Sequence, residues 1–302
     1  MANEPSKAAP ATTPALLAPP AQWIAGEAFT TTADIQVPDK LLDQVIGQDH
    51  AVTVVRKASE QKRHVMLIGD PGTGKSMLAR AMTEFLPKEE LEDVIAYPNA
   101  EDSNTPRIRV VPAGKGKEIV DAQKFEARKK QEQRSVLMNI LVLVFVFVGI
   151  YLTFYYKSPL YLFLSIGLAI LLFMMSRSPG MNRQVQMTPK LLVGHDPDEV
   201  PPFTDATAAH SGALLGDVRH DPFQAGGLET PAHERVEAGA IHKAHRGVLY
   251  IDEINTLGLQ SQQHLLTAIQ ERKFQITGQS ERSSGAMVKT EPVPCNFILV
   301  AA

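Results

Sequence analysis

Between Val136 and Tyr156 the chain runs VLMNILVLVFVFVGIYLTFYY, with no charge and only Asn139 and Thr153 clearly polar. As a helix, rising about 1.5 Å per residue, this stretch covers about 31 Å, the thickness of a bilayer's hydrocarbon layer. A second uncharged run, Leu160–Met175, follows the turn Lys157-Ser158-Pro159. The pair reads as a transmembrane helical hairpin. The competing reading, a buried core hairpin, requires a polar face that neither run keeps.

Basic residues crowd both flanks: Lys124, Arg128, Lys129, Lys130 and Arg134 before the first run, Arg177, Arg183 and Lys190 after the second, against Lys157 alone in the turn. The positive-inside rule places both flanks in the cytoplasm and the turn outside, a two-span protein of the cell membrane. The charged, helix-compatible stretch Glu118–Arg134 continues the first span into the cytoplasm and faces solvent and lipid headgroups.

The remainder has ordinary soluble composition. Hydrophobic residues make up 44% and charged residues 21%, which excludes wholesale disorder for the whole chain. A net charge of -3 gives no global basic excess, so nucleic acid is not indicated as a partner. The one cysteine, Cys295, excludes an intrachain disulfide framework and fits a reducing compartment. Residues 1–36, rich in Ala, Pro and Thr, read as a disordered tail with too little apolar core for a signal peptide.

The nucleotide chemistry is carried by two short motifs. The apolar run His64–Ile68 leads into Gly69-Asp70-Pro71-Gly72-Thr73-Gly74-Lys75-Ser76, which fits G-x-x-x-x-G-K-[ST] and is followed by Met77, Leu78, Ala81, Met82, Phe85 and Leu86 at helical spacing. Glycines at 72 and 74 let backbone N–H groups close around phosphate oxygens at a helix N-terminus. Lys75 is expected on the β- and γ-phosphates of ATP, and the Ser76 hydroxyl on Mg²⁺. The second motif is Val248-Leu249-Tyr250-Ile251 followed by Asp252-Glu253. Asp252 is expected to position the metal, and Glu253 to orient or deprotonate the attacking water. A module that only binds nucleotide has no need of Glu253.

With these elements in place, the chain resembles the ATPase part of an AAA+ protein, and more narrowly the archaeal membrane-anchored (B-type) Lon proteases. The resemblance is carried by Val45-Ile46-Gly47-Gln48, by GDPGTGKS, by the block Gly216–Leu257, and by a hairpin inserted between the nucleotide motifs, and it covers residues 37–302. It implies an α/β fold, a P-loop NTPase parallel sheet interrupted by the transmembrane hairpin: 37–117 and 181–302 as the two parts of the core, 118–180 as the insert. It implies that Ile46 lies against adenine and that Gly69, Asp70, Pro71, Gly72, Thr73, Gly74, Lys75, Ser76 and Met77 hold the nucleotide. It further implies that Phe223 and Gln224 lie on a loop facing the pore of a hexameric homo-oligomer. The partners it implies are unfolded or membrane protein substrates and the lipid bilayer.

The stretch Phe274–Val293 resembles a β-hairpin that precedes the fourth strand. Phe297–Ala302 looks like that strand, after which the sensor asparagine, fifth strand, arginine finger, lid and Ser-Lys protease domain of the resembled family do not appear, so the chain is expected to be a fragment of a longer product. Three weaker signals complete the reading. His233, His242 and His245 are expected at the surface or behind other residues rather than on a metal. Pro112–Lys117, although glycine- and lysine-rich, is expected to link the second strand to the membrane segment. Ser261–Glu271 is expected to pack Leu265, Leu266 and Ile269 on one face. Two other functions remain open: a membrane-bound remodelling or chelatase-like ATPase without protease activity, and a nucleotide-binding membrane scaffold.

Overall fold

The computed structural model describes residues 38–176, 187–219, 230–278 and 287–302. Along the chain run α1 (Asp49–Glu60), β1 (Val65–Met66), α2 (Lys75–Ala81), β2 (Glu92–Tyr97), β3 (Arg107–Pro112), α3 (Lys115–Tyr156), α4 (Leu160–Ser176) and β4 (Lys190–Val193). They are followed by β5 (Phe203–Asp205), α5 (Ser211–Leu215), β6 (Asp217–Val218), α6 (Ala232–Arg235), β7 (Val236–Glu237), α7 (Ala240–Lys243), β8 (Val248–Ile251), α8 (Leu259–Glu271), β9 (Lys273–Phe274), β10 (Val293–Pro294) and β11 (Ile298–Ala301).

The central sheet is parallel, in the order β1-β11-β8-β5. Its middle strand β8 reads Val-Leu-Tyr-Ile and is buried throughout, as a strand covered on both faces must be. Because successive side chains point to opposite faces, β8 serves two cores. Leu249 and Ile251 pack with Leu214, Ile241 and Leu265 of α5, α7 and α8. Val248 and Tyr250 pack with Val55, Leu78 and Met82 on the α1 and α2 side. The result is a sheet between two helical layers.

The hairpin does not grow out of this sheet. Pro112–Lys117, expected to link the second strand to the membrane segment, does lead from a strand into α3, but that strand, Arg107–Pro112, belongs to a separate antiparallel sheet in the order β3-β2-β4. The strand beside β8 is β5, on the far side of the hairpin in sequence. The antiparallel sheet thus pairs a strand before the hairpin with one after it, Ala96 opposite Lys190 and Val94 opposite Val193.

From that sheet rises α3, a single helix of 42 residues with no internal proline. At about 1.5 Å per residue it is about 63 Å long. Along it only Gly116, Val120 and Gly149 are buried. It ends at Lys157, in the left-handed region at φ 50°. The returning α4 has 17 residues, about 25 Å, shorter than a bilayer's hydrocarbon layer. The two pack at Gly149, where a Cβ would collide with Ser165 Oγ and Cβ. On the outer faces Leu137, Leu143, Phe147, Phe154, Phe163 and Leu164 are exposed. Among the described residues α3 is the helix long and apolar enough to cross a membrane, and α4 falls short in length.

Two further expectations meet the structure. Val293 pairs with Phe274, Pro294 with Lys273 and Thr277 with Lys289, antiparallel as in the expected β-hairpin; residues 279–286 lie outside the described residues. In α8, Leu265 is buried and Ile269 partly so, but Leu266 is 55% exposed, because it lies about 100° round the helix from Leu265.

Candidate nucleotide-binding site

The glycine loop leaves the sheet at its carboxyl edge. Leu67 N–H still donates to Ala301 O at 2.8 Å, after which the chain turns through Gly69–Gly74 into α2. Gly72 and Gly74 both have φ +82°, a conformation that side chains resist, and a Cβ on either would meet no atom within 4 Å. The loop therefore presents bare backbone to an open space. Among the described residues no acceptor meets the N–H of Gly72, Gly74, Lys75 or Ser76. Such a crown of unpaired donors fits an anion with several oxygens, as a polyphosphate has.

The loop is braced from two sides. Thr73 Oγ1 donates to Asp70 O at 2.9 Å, and Gln48 Nε2 donates to Thr73 O at 2.6 Å. The second bond brings the Val45–Gln48 stretch against the loop. Ile46, two residues earlier, is 84% exposed, a large apolar side chain left beside the loop without protein cover. Lys75 Nζ donates to Gly69 O at 3.0 Å, so its ammonium folds over the loop's mouth. Asp70, Pro71 and Ser76 are exposed, and Met77 is half-buried.

The carboxylates arrive at the same edge. Met66 is in register with Ala301, and Ala301 with Ile251, so β1 and β8 end level, one strand apart. With neighbouring strands about 4.8 Å apart, the glycine loop and the Asp252–Glu253 pair leave the sheet about 10 Å from each other. This is the crevice outside the strands' carboxyl ends, where open parallel sheets bind ligands. Asp252 N–H donates to Thr207 Oγ1 at 3.0 Å, and Thr207 N–H to Asp205 Oδ1 at 2.9 Å. Glu253 N–H donates to Asp252 Oδ1 at 3.0 Å. Glu253 itself sits at φ 50°, a left-handed conformation that costs a non-glycine residue about 1 kcal/mol or more. The turn thereby leaves its side chain exposed to the crevice edge. Burial, the Asp252 charge and a hydrogen bond to Asp252 together push the Tyr250 hydroxyl up to about 12.

Sequence reasoning missed Asp205 and Thr207. Their signal was a short apolar-to-polar step, Phe203-Thr204-Asp205, too brief to mark a strand. Phe223 and Gln224 lie outside the described residues.

Of the two places expected for the histidines, the surface is excluded. His233 is 2% exposed, His242 0% and His245 2%. His233 Nε2 donates to Thr188 O at 2.9 Å, and His242 Nε2 to Phe274 O at 3.2 Å. His245 Nε2 donates to Glu92 Oε2 at 2.8 Å, while its Nδ1 accepts the Asn296 N–H at 3.0 Å. They are core residues because long-range acceptors satisfy their donors.

The chain is similar to several known proteins. The family model described as Magnesium chelatase, subunit ChlI, matches residues 41–130, and that described as Sigma-54 interaction domain matches residues 224–289. An archaeal Lon protease of Archaeoglobus fulgidus is 63% identical over 279 residues, covering 92% of this chain and 44% of that protein. An archaeal Lon protease of Thermoplasma acidophilum is 57% identical over 282 residues, 93% of this chain and 43% of that protein. One of Halobacterium salinarum is 56% identical over 279 residues, 92% and 39% respectively. The chain spans less than half the length of these relatives. Among solved structures, a magnesium chelatase complex of subunits BchI and BchD aligns at TM-score 0.34 with 16% identity, over 84% of this chain and 50% of that one.

Proposed function

We propose that this chain, which belongs with the archaeal Lon proteases as their N-terminal ATPase part, binds and hydrolyses ATP to drive protein unfolding for a protease domain beyond its end. The observation that carries the reading is the convergence of the bare glycine loop and the Asp252–Glu253 pair on one edge of the parallel sheet. In it, the free N–H groups of Gly72, Gly74, Lys75 and Ser76 and the Lys75 ammonium hold the β- and γ-phosphates. The Ser76 hydroxyl and Asp252 carboxylate hold Mg²⁺, which when bound offsets charge on the phosphates. Glu253 orients a water for attack on the γ-phosphorus and takes its proton. Ile46 offers the adenine an apolar face.

In the same proposal the protein is a homo-oligomeric ring, hexameric by family resemblance, with Phe223 and Gln224 gripping unfolded or membrane protein substrates. The α3–α4 hairpin crosses the membrane, with the Lys157 turn outside and both flanks in the cytoplasm. The test uses the full-length protein. Glu253→Gln should retain nucleotide binding yet lose at least about 100-fold in turnover, the usual yield of a general base. Undiminished turnover would refute the assigned role. A second reading, an ATPase that remodels a partner without cleaving it, is favoured by the chelatase-type match at residues 41–130. ATP-dependent degradation of an unfolded protein such as casein separates the two.

A further inference from the structure

Two adjacent carboxylates at the foot of the hairpin face in opposite directions and hold different parts of the molecule. Asp93 is fully buried. Its Oδ2 accepts the N–H of Gly116, in the first turn of α3, at 2.8 Å, and its Oδ1 accepts the N–H of His195, two residues beyond β4, at 2.8 Å. One side chain thus fastens the chain where it leaves for the hairpin and where it returns. The seat is tight: a Cβ on Gly116 would lie 2.7 Å from Asp93 Cβ and Oδ2 and 2.8 Å from Leu191 Cδ1.

Glu92 holds the parallel sheet. Its carboxylate accepts from Arg246 Nε and Nη2, both at 3.1 Å, and from His245 Nε2 at 2.8 Å. Burial raises the Glu92 carboxyl, but the bonds from Arg246 and His245 outweigh it and hold it below its ordinary value. His245 and Arg246 in turn exchange backbone and side-chain bonds with Asn296, at 3.0 and 2.7 Å. Glu92 therefore grips the entering ends of β8 and β11, the two central strands, and the leaving end of β8 carries Asp252 and Glu253.

We infer that Glu92 is a positioning residue for the Asp252–Glu253 pair, and that Asp93 beside it makes that position answer to the tilt of the hairpin. The inference rests on the membrane reading above. Its lever is α3, continuous and without proline from Gly116 to the turn, so no kink separates an angular change within the bilayer from Asp93. Its load is the unequal length of the two apolar helices, about 31 Å in α3 and about 25 Å in α4, which no one bilayer thickness suits; tilt takes up the excess of the longer.

The experiment reconstitutes the full-length protein in vesicles of dimyristoyl or of dierucoyl phosphatidylcholine, verifies insertion by flotation, and takes the ratio of ATP hydrolysis rates in the two. The wild-type ratio should depart from unity by about fivefold, at the low end of ordinary coupling between sites. In Glu92→Gln it should collapse towards unity, and Arg246→Lys, which removes the paired contact, should follow. A purely structural role would lower both rates together and leave the ratio unchanged. A wild-type ratio of unity in inserted protein overturns the coupling, and equal ratios in wild type and variants overturn the assignment to Glu92. Failure to float in either vesicle overturns the membrane reading itself. Should the variants not fold, hydrogen exchange of the wild type serves. Amides of 92–96 and 298–301 should exchange at different rates in the two bilayers, and identical protection overturns the inference.

Discussion

Thr207 Oγ1 accepts the backbone N–H of Asp252 at 3.0 Å, so a residue just past the outer strand of the sheet sets the start of the acidic turn. Without the hydroxyl that N–H loses its partner at the point where β8 ends. Thr207→Val keeps the shape and removes the acceptor, a loss worth about 1 kcal/mol. ATP turnover should fall about fivefold where that loss falls on the transition state. Thr207→Ser should restore it. Steady-state hydrolysis of the three proteins checks this, and a Val variant as active as wild type would remove Thr207 from the site.

Lys75 donates to Gly69 O at 3.0 Å, a bond that a phosphate oxygen would replace. A hydrogen bond from a charged group contributes about 1.5–3 kcal/mol, so Lys75→Ala should weaken ATP binding by about 10- to 150-fold. Folding should change little, because the ammonium lies at the exposed mouth of the loop. Titration with a fluorescent ATP analogue, alongside thermal unfolding, distinguishes a lost ligand contact from a lost fold.

Gly239 sits where two backbones meet. A Cβ there would collide with Gly216 N and with the carbonyl region of Leu214 and Leu215. None of these is a flexible side-chain end, so the strain has no cheap relief. Gly239→Ala should destabilise by about 3 kcal/mol or more, in the range of severe backbone and overpacking defects. The denaturant midpoint reports it. Gly258→Ala, at a glycine with no atom within 4 Å of the added carbon, is the mild control, costing about 1 kcal/mol or less for a poorer cap on α8.

How much of this was legible beforehand depends on the range of the interactions. The glycine loop and the Asp252–Glu253 turn were readable because strand, loop and helix follow one another within about twenty residues, and the motif is itself the local geometry. The antiparallel sheet was not. Ala96 and Lys190 pair across the whole hairpin, and nothing near Arg107–Pro112 distinguishes a strand of that sheet from one of the core. Which of the two places the histidines take was hidden for a related reason. Their acceptors are Phe274 O, Thr188 O and the Glu92 carboxylate, far along the chain, and a polar side chain with an unseen partner looks like a surface residue. Asp93 and Glu92 look like an ordinary acidic pair until the fold turns them to opposite faces of β2.

His242 gives the fold an acid limit. Burial chiefly, with the neighbouring His245 adding to it and the bond to Phe274 O opposing it, lowers its pKa to about 4. An unfolded histidine takes up its proton near about 6.5. Between these values the unfolded chain binds the proton and the folded one does not, so stability is full above about 6.5 and falls as pH drops towards about 4. The loss from this group alone is on the order of 3 kcal/mol. His233 and His245 are lowered by burial too and add in the same direction. Denaturant midpoints followed across this window should decline in the wild type. His242→Gln, which does not titrate there, should decline less steeply, and parallel curves would contradict the neutral buried state.

Cys295 makes the membrane topology testable with one substitution. It is 1% exposed, and burial, with the Glu271 charge, pushes its thiol up to about 12, so it offers almost no thiolate near neutral pH. The parent protein should therefore resist an impermeant thiol reagent even after lysis. Lys157 is exposed in the turn between α3 and α4 and already has a left-handed backbone, so Lys157→Cys introduces a reactive thiol without new backbone strain. If the hairpin crosses the membrane with this turn outside, the variant should be labelled in intact cells. Labelling only after lysis would place the turn in the cytoplasm. The parent chain, labelled in parallel, shows whether Cys295 contributes to either signal.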